Sequence, residues 1–397
     1  MKRISKTFYI IAGFSTLFFF GCSESEIPLE ESFFKIYDDA NADLTYNPID
    51  FVELADGYII LSGIELDNSN FMGIQLMRID AQGNFVDQDE IDNYVVPIGD
   101  IYLIDSVTYF FGMEPVTRNA VLLGVNTSLE LVREETVPGV DYPLASSLSS
   151  SNEFILLSYD NVALTTELSI INTDGVYQDG VSYTIGAGSD VQADIINHYL
   201  QLKELPLPFF CGEHSPGNYY FNGYYNFNFS LVFSDLSSSP TGVLQGQSAD
   251  AGVRHAMPLT GGNFAIAGYQ FDENFQLPST TLNTNDIASS VDLYGGNQAE
   301  LKAYTPSKIV SYNDGSEDYT VFAAESKTRQ ITLYFYDSEG NLDGLNQIGF
   351  FAPFTFSSIK TTSDNSLTVL GTSFVAGRFE RVTLSRISQQ EIGGILR

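Results

Sequence analysis

Residues 50–85 read DFVELADGYIILSGIELDNSNFMGIQLMRIDAQGNF, and the punctuation of this stretch decides the fold. Asp50–Leu54 is a short strand, Asp56-Gly57 a tight turn, and Tyr58–Ile64 an apolar, β-branched second strand. The polar loop Asp67–Asn70 leads into a third strand, Phe71–Ile79, and Asp80–Asn84 (DAQGN) turns the chain again. Val86 and the residues after it supply a fourth, outer strand. One such unit leaves its sheet faces and edges uncovered, so copies must stack to bury them.

The same mark, a turn followed by an apolar strand that often ends in Gly, returns along the chain: YIILSG, YFFG, FAIAG and LTVLG are the clearest cases. The turns fall near residues 57, 106, 152, 217, 262, 315 and 365, at intervals of 45 to 65 residues. The turn NTDG at Asn172–Gly175 and DSEGN at Asp337–Asn341 match DAQGN in place and kind. Three or four strands per unit at this period predict an all-β chain, a seven-bladed β-propeller, with six or eight blades as alternatives. The fourth unit is the least regular. Val191–Leu200 reads as its inner strand, Gln201–Gly217 as a proline-containing insertion, and Tyr219–Tyr225 with Phe227–Ser234 as an aromatic hairpin. Asp272–Ser290 reads as a long polar insert in the fifth.

The seventh unit lacks an outer strand, and Ser32–Tyr37 (SFFKIY) lacks a partner. Pairing the two closes the ring, with Phe33 and Phe34 as core anchors. Joining ends this far apart costs about 5 kcal/mol. Burying large apolar side chains offsets that at about 1.5–3 kcal/mol each.

The chain carries 50 acidic against 18 basic residues, a net charge of -32, so no basic stripe exists to displace the counterions of a nucleic acid. The N-terminus has a basic start (Lys2, Arg3, Lys6), an apolar run Phe8–Phe20, and Gly21-Cys22. LFFFGCSESE resembles a bacterial lipoprotein signal. The resemblance implies cleavage after residue 21, lipidation of Cys22, a tether over residues 22–31 and one propeller domain over residues 32–397. Ser23–Glu26 is similar to export tags of surface lipoproteins of the Bacteroidota. The chain as a whole resembles β-propeller lipoproteins of that group. This implies an outer-membrane location, more often at the cell surface than on the periplasmic face, and an outer-membrane protein partner within an uptake or secretion complex. With Cys22 lipidated, Cys211 has no disulfide partner and reads as a buried small side chain.

The starts of the inner strands carry Asp50, Asp100, Ser146, Arg254-His255, Lys308, and Ser357 with Lys360. In a propeller these converge at one mouth of the central channel, where they either hold a polar ligand or neutralise one another. His255 beside Arg254 is a potential anion contact. His198 and His214 lie at no zinc-ligand spacing. The hairpin NYYFNGYYNFNF, Asn218–Phe229, is expected to put Tyr220, Tyr224 and Tyr225 on one exposed face suited to a protein, peptide or glycan. The calcium-like pieces at Asp67–Asn70 and Asn172–Gly175 lack full ligand spacing and read as turns, with a structural calcium elsewhere left open and no other cofactor expected. The leading expectation is a non-enzymatic binding or scaffold lipoprotein. The alternatives are a glycan-binding accessory protein and a propeller hydrolase or lyase.

Overall fold

The computed structural model describes residues 32–37, 45–67, 69–186, 191–200, 207–248, 251–349, 353–374 and 379–396. The leader, Cys22 and the tether lie outside the described residues. The fold is all-β, built of several antiparallel sheets consistent with a β-propeller. Residues 46–80 form Tyr46–Leu54, Gly57–Ile64 and Gly73–Asp80, paired in order, and the long strand Phe85–Ile104 follows. That strand serves two units. Its first half pairs with Gly73–Asp80 and its second half with Val107–Met113. The remaining units begin at Pro143–Leu148, Phe210–Ser215, Ala251–Pro258, Ser307–Asn313 and Phe354–Thr361.

The turns between third and fourth strands of the first, third and sixth units share one chemistry. Asp80 Oδ1 accepts from the backbone N–H of Gln82 and Asn84 at 2.9 and 2.7 Å. Asp337 does the same for Glu339 and Asn341 at 2.9 and 2.8 Å, and Asn172 for Asp174 and Val176 at 3.0 and 2.9 Å. The fourth residue of each turn is Gly83, Gly340 or Gly175, at φ of 76°, 85° and 79°, a conformation that costs a side chain dearly. Asn172–Gly175 is therefore a side-chain-closed turn.

Phe33–Ile36 pairs antiparallel with Glu380–Ile387, Phe33 opposite Arg386 and Ile36 opposite Thr383. Ser388 N–H donates to Ser32 Oγ at 2.9 Å, and Tyr37 N–H to Val382 O at 2.9 Å. Phe33 is buried, edge-on to Tyr58 at 6.5 Å. Phe34 is not the anchor expected of it. It is 42% exposed and meets only the edge of Phe354 among described aromatic rings. Successive strand residues face opposite sides, so one phenylalanine enters the core and the other leaves it.

Two further expectations are corrected. Val191–Tyr199 is an α-helix, with Val191, Ile195 and Tyr199 buried one turn apart. Its polar and apolar residues sort at the helical period, which the strand reading overlooked. The inner strand of that unit is Phe210–Ser215. Asp272–Ser290 is no loose insert. It contains the strand Glu273–Thr280, and Ile287–Ser289 adds in parallel to Gly242–Gln247. Phe275 and Leu282 are its buried apolar contributions.

Between sheets the core is aromatic and dense. Phe154 alone meets Tyr102, Tyr109 and Phe111 at 5.5–5.8 Å. Phe33→Ala should cost about 3–5 kcal/mol in chemical denaturation, by the penalty for emptying a packed aromatic site, and Phe34→Ala well under half of that. Equal losses from both would refute this assignment of faces.

Candidate functional site

Five inner strands skip a single residue in their pairing, among the described residues; in Phe210–Ser215 it is His214, which lies away from the cavity described below, and the other four act together. Pro48 and Asp50 have partners on the next strand and Ile49 has none. The same holds for Leu144, for Arg254 between Val253 and His255, and for Ser357 between Phe356 and Ser358. A bulge releases its extra residue from the ladder and re-aims its side chain. All four bulge residues line one cavity of about 610 Å³. Asp100, Ser146, Tyr220, His255, Lys308 and Tyr304 also line it, with Phe209 and Phe210 from the fourth unit.

Behind this wall sits Asp50, wholly buried. Lys360 Nζ donates to its Oδ2 at 2.6 Å, Ser358 Oγ to its Oδ1 at 2.5 Å, and Ile101 N–H to its Oδ2 at 2.9 Å. Lys308 Nζ lies 3.8 Å from Asp50 and donates to Asp100 Oδ1 at 2.6 Å and to Ser358 Oγ at 3.2 Å. Two carboxylates and two ammonium groups thus balance. Burial alone would raise the Asp100 carboxyl, but Lys308 and then Lys360 outweigh it and hold it below the ordinary carboxylate range. Burial alone would lower Lys308, but Asp100 and Asp50 outweigh it and raise the ammonium above the usual lysine value.

Arg254 and His255 differ from this network. Arg254 lies over the ring of Tyr269, 4.6 Å from its centroid, and burial lowers its pKa. Its Nε is buried without a hydrogen-bond partner, as is His255 Nδ1. Burial, with Lys308 second, pushes His255 down to about 4 against an opposing pull from Asp100. The ring is therefore neutral at pH 7. Nearby Lys302 is paired with Glu325 at 3.3 Å.

Asp50, Asp100, Ser146, Arg254, His255, Lys308, Ser357 and Lys360 are thus brought to one region, although Asp50 and Lys360 stand behind the wall rather than in it. The expected exposed tyrosine face is absent. Tyr220 and Tyr224 are buried, and Tyr225 is partly buried, edge-on to Tyr183 at 5.9 Å. Tyr220 Oη donates to Ala256 O at 3.2 Å, and Tyr224 Oη to Asp194 on the unforeseen helix at 2.9 Å. Neighbouring sheets and the helix cover both faces of the hairpin, so alternation does not make one face wet. Of the three, Tyr220 alone lines the cavity.

Sequence reasoning missed Ser358, Tyr304, Phe209 and the Lys302–Glu325 pair. Ser358 adjoins a bulge, which no local signal marks, while the helical spacing at 191, 195 and 199 was there to be read. His198, on that helix, also lines the cavity and meets Phe209 at 5.0 Å. Cys211 is buried, its thiol pushed up to about 12 by desolvation, and it contacts Ala145 O at 3.7 Å, which makes it a packing residue. Among the described residues no three His, Cys, Asp or Glu side chains gather as a metal site.

No family model matches the chain, and no curated protein matches its sequence. Among solved structures, it is similar to a catalytically inactive virginiamycin B lyase from Staphylococcus aureus crystallised with quinupristin. Identity is 10%, over 90% of this chain and 100% of that one, at a TM-score of 0.51. The β-propeller domain of the Trilobed protease from Pyrococcus furiosus matches at 8% identity over 87% and 95% of the two chains, TM-score 0.47. A protein of unknown function from Bacteroides caccae matches at 10% over 73% and 93%, TM-score 0.43. At such identities the likeness is one of fold.

Two outcomes test the site. Asp50→Asn should cost about 3–5 kcal/mol, because it strands Lys360 beside a neutral amide, while Lys308 keeps Asp100. Pairing it with Lys360→Met should recover part of the loss, and a double variant as unstable as the sum would refute the coupling. For His255, an unfolded histidine titrates near ~6.5, whereas the folded ring titrates near about 4. Between these values the unfolded chain binds the extra proton, so stability rises with pH and is lost as pH falls through that window, by up to about 3 kcal/mol. The depressed Asp100 carboxyl adds stability that is lost only below about pH 4. His255→Gln should flatten denaturation midpoints between pH 6.5 and 4.5, and an unchanged slope would show that the ring is protonated in the folded state.

Proposed function

We propose that this chain is a non-enzymatic ligand-binding propeller, seven-bladed and closed by Phe33–Ile36, held to the outer membrane by a lipid on Cys22. The observation that carries the binding reading is the cavity of about 610 Å³ into which the bulges of four inner strands project. That volume lies in the range of small-molecule sites, roughly 300–1,000 Å³. The blade count rests on seven inner strands, with Phe85–Ile104 shared by two units, and closure rests on the pairing of Phe33–Ile36 with Glu380–Ile387. The lipid, the membrane and an outer-membrane protein partner rest on the sequence LFFFGCSESE and its resemblance to surface lipoproteins of the Bacteroidota.

Catalysis is the weaker reading on the chemistry of the groups. A glycosidase needs one carboxyl kept protonated as a general acid. Asp50 is bonded to Lys360, and lysines hold Asp100 below the ordinary carboxylate range. His255, at about 4, is a poor general base near neutral pH, where a base titrating close to pH 7 works best. The buried hairpin also removes the flat aromatic patch on which a pure scaffold reading relied. A glycan remains an alternative occupant, since Asn47, Tyr199, Tyr220 and Tyr304 line the cavity.

Native mass spectrometry of the protein, purified from detergent-solubilised envelopes, should reveal a retained small molecule. Ser357→Trp, which fills the cavity from outside the sheet ladder, should abolish retention without loss of fold. A wild-type protein that carries no small molecule, yet keeps the same protein partners as Ser357→Trp, would favour a scaffold over a ligand binder.

A further inference from the structure

We propose that the cavity takes an aromatic carboxylate, its anion held by Arg254 and His255 and its ring body by Phe209, Phe210, Tyr220 and Tyr304. This rests on the reading of the cavity as a ligand site and deepens it to a chemical class. Lys308 has Asp100 at 2.6 Å, Lys360 has Asp50 at 2.6 Å, and Lys302 has Glu325 at 3.3 Å. Arg254 alone among these cations has no carboxylate. Among the described residues its side chain makes no hydrogen bond or ion pair, and the face of Tyr269 stands against it with Tyr304 nearby. A guanidinium partly withdrawn from water, its Nε buried, without an anion carries a cost, and the ring of Tyr269 returns only part of it.

The backbone supports the same conclusion. Adjacent strand residues face opposite sides of a sheet. The bulge at Arg254 breaks that alternation, so Arg254 and His255 both line the cavity, each with a buried nitrogen that lacks a partner. A guanidinium fork and a neutral imidazole N–H can together satisfy the two oxygens of a carboxylate. One uncompensated positive charge calls for a monoanion. A dianion would leave excess negative charge beside Asp100, in a chain whose net charge is already -32. The body of the ligand follows from the wall. Phe209 and Phe210 are only partly buried, and Phe356, Tyr220 and Tyr304 complete an aromatic lining. Tyr304 is held at φ 56°, an unusual conformation for a tyrosine, and its hydroxyl is tied to Asp272 at 2.6 Å.

The test compares N-benzoylphenylalanine, its primary amide and its phosphonate analogue by calorimetry, on wild type and on Arg254→Gln. The acid should bind wild type at least about tenfold more tightly than the amide, a charge-assisted hydrogen bond's worth, and the preference should vanish in Arg254→Gln. Independently, Arg254→Met should raise the melting temperature of the ligand-free protein, since it removes an unpaired charge. A fall would mark Arg254 as structural and overturn the assignment. Equal binding of acid and amide, or tighter binding of the phosphonate, overturns the carboxylate class while leaving a ligand cavity standing. If none of the three binds, this inference falls, and the retained molecule sought by mass spectrometry decides separately whether the cavity reading falls with it.

Discussion

A carboxylate with no exposure to solvent ties together strands far apart in the sequence. Asp50 collects the ammonium of Lys360, the hydroxyl of Ser358 and the amide of Ile101, while Lys308 bridges from it to Asp100. These partners come from three other inner strands, and Lys360 stands 310 residues away in sequence. Apolar surfaces between sheets are the larger source of stability, but they are tolerant of small slides. A buried ion is not tolerant, because any slide leaves it unpaired in a medium that solvates charge poorly. The cluster therefore fixes the level at which successive inner strands meet.

Once that level is set, the bulges build the cavity. Ile49, Leu144, Arg254 and Ser357 carry no pairing duty in the ladder, so their side chains are released toward the central space. Pairing and wall chemistry are thereby separated. The ladder on either side of each bulge keeps the sheet, and the extra residue supplies an apolar, hydroxyl or cationic group to the cavity. Arg254 shows the consequence most plainly, since it is charged, buried at Nε and balanced by no acid, whereas the lysines around it are each matched.

The fourth unit carries the chain's main departure from regular repetition, and it shapes one side of the same cavity. Its helix packs Tyr199 against Pro143, with a hydroxyl donated at 2.7 Å, and it brings His198 and Phe209 to the wall. Tyr224 fastens that helix to the hairpin through Asp194. Tyr224 is thus consumed in holding an insertion in place, and its hydroxyl, like that of Tyr220 on Ala256, finds an internal acceptor as a buried tyrosine requires.

Turn chemistry, strand order and the repeating unit were determined by the sequence alone. An Asp or Asn that caps its own turn, followed by Gly at positive φ, acts over four or five residues, and so DAQGN, NTDG and DSEGN could be read without knowing their neighbours. The charged starts of the inner strands were legible for the same reason, because each follows from its place within a unit. Tertiary structure alone decided which face of each strand met water. Phe33 and Phe34, or Tyr220 and Tyr225, alternate identically in sequence, and burial was assigned by whatever sheet or helix lay opposite. Tertiary structure also placed the bulges, since a register shift is a property of two strands and appears in neither one by itself.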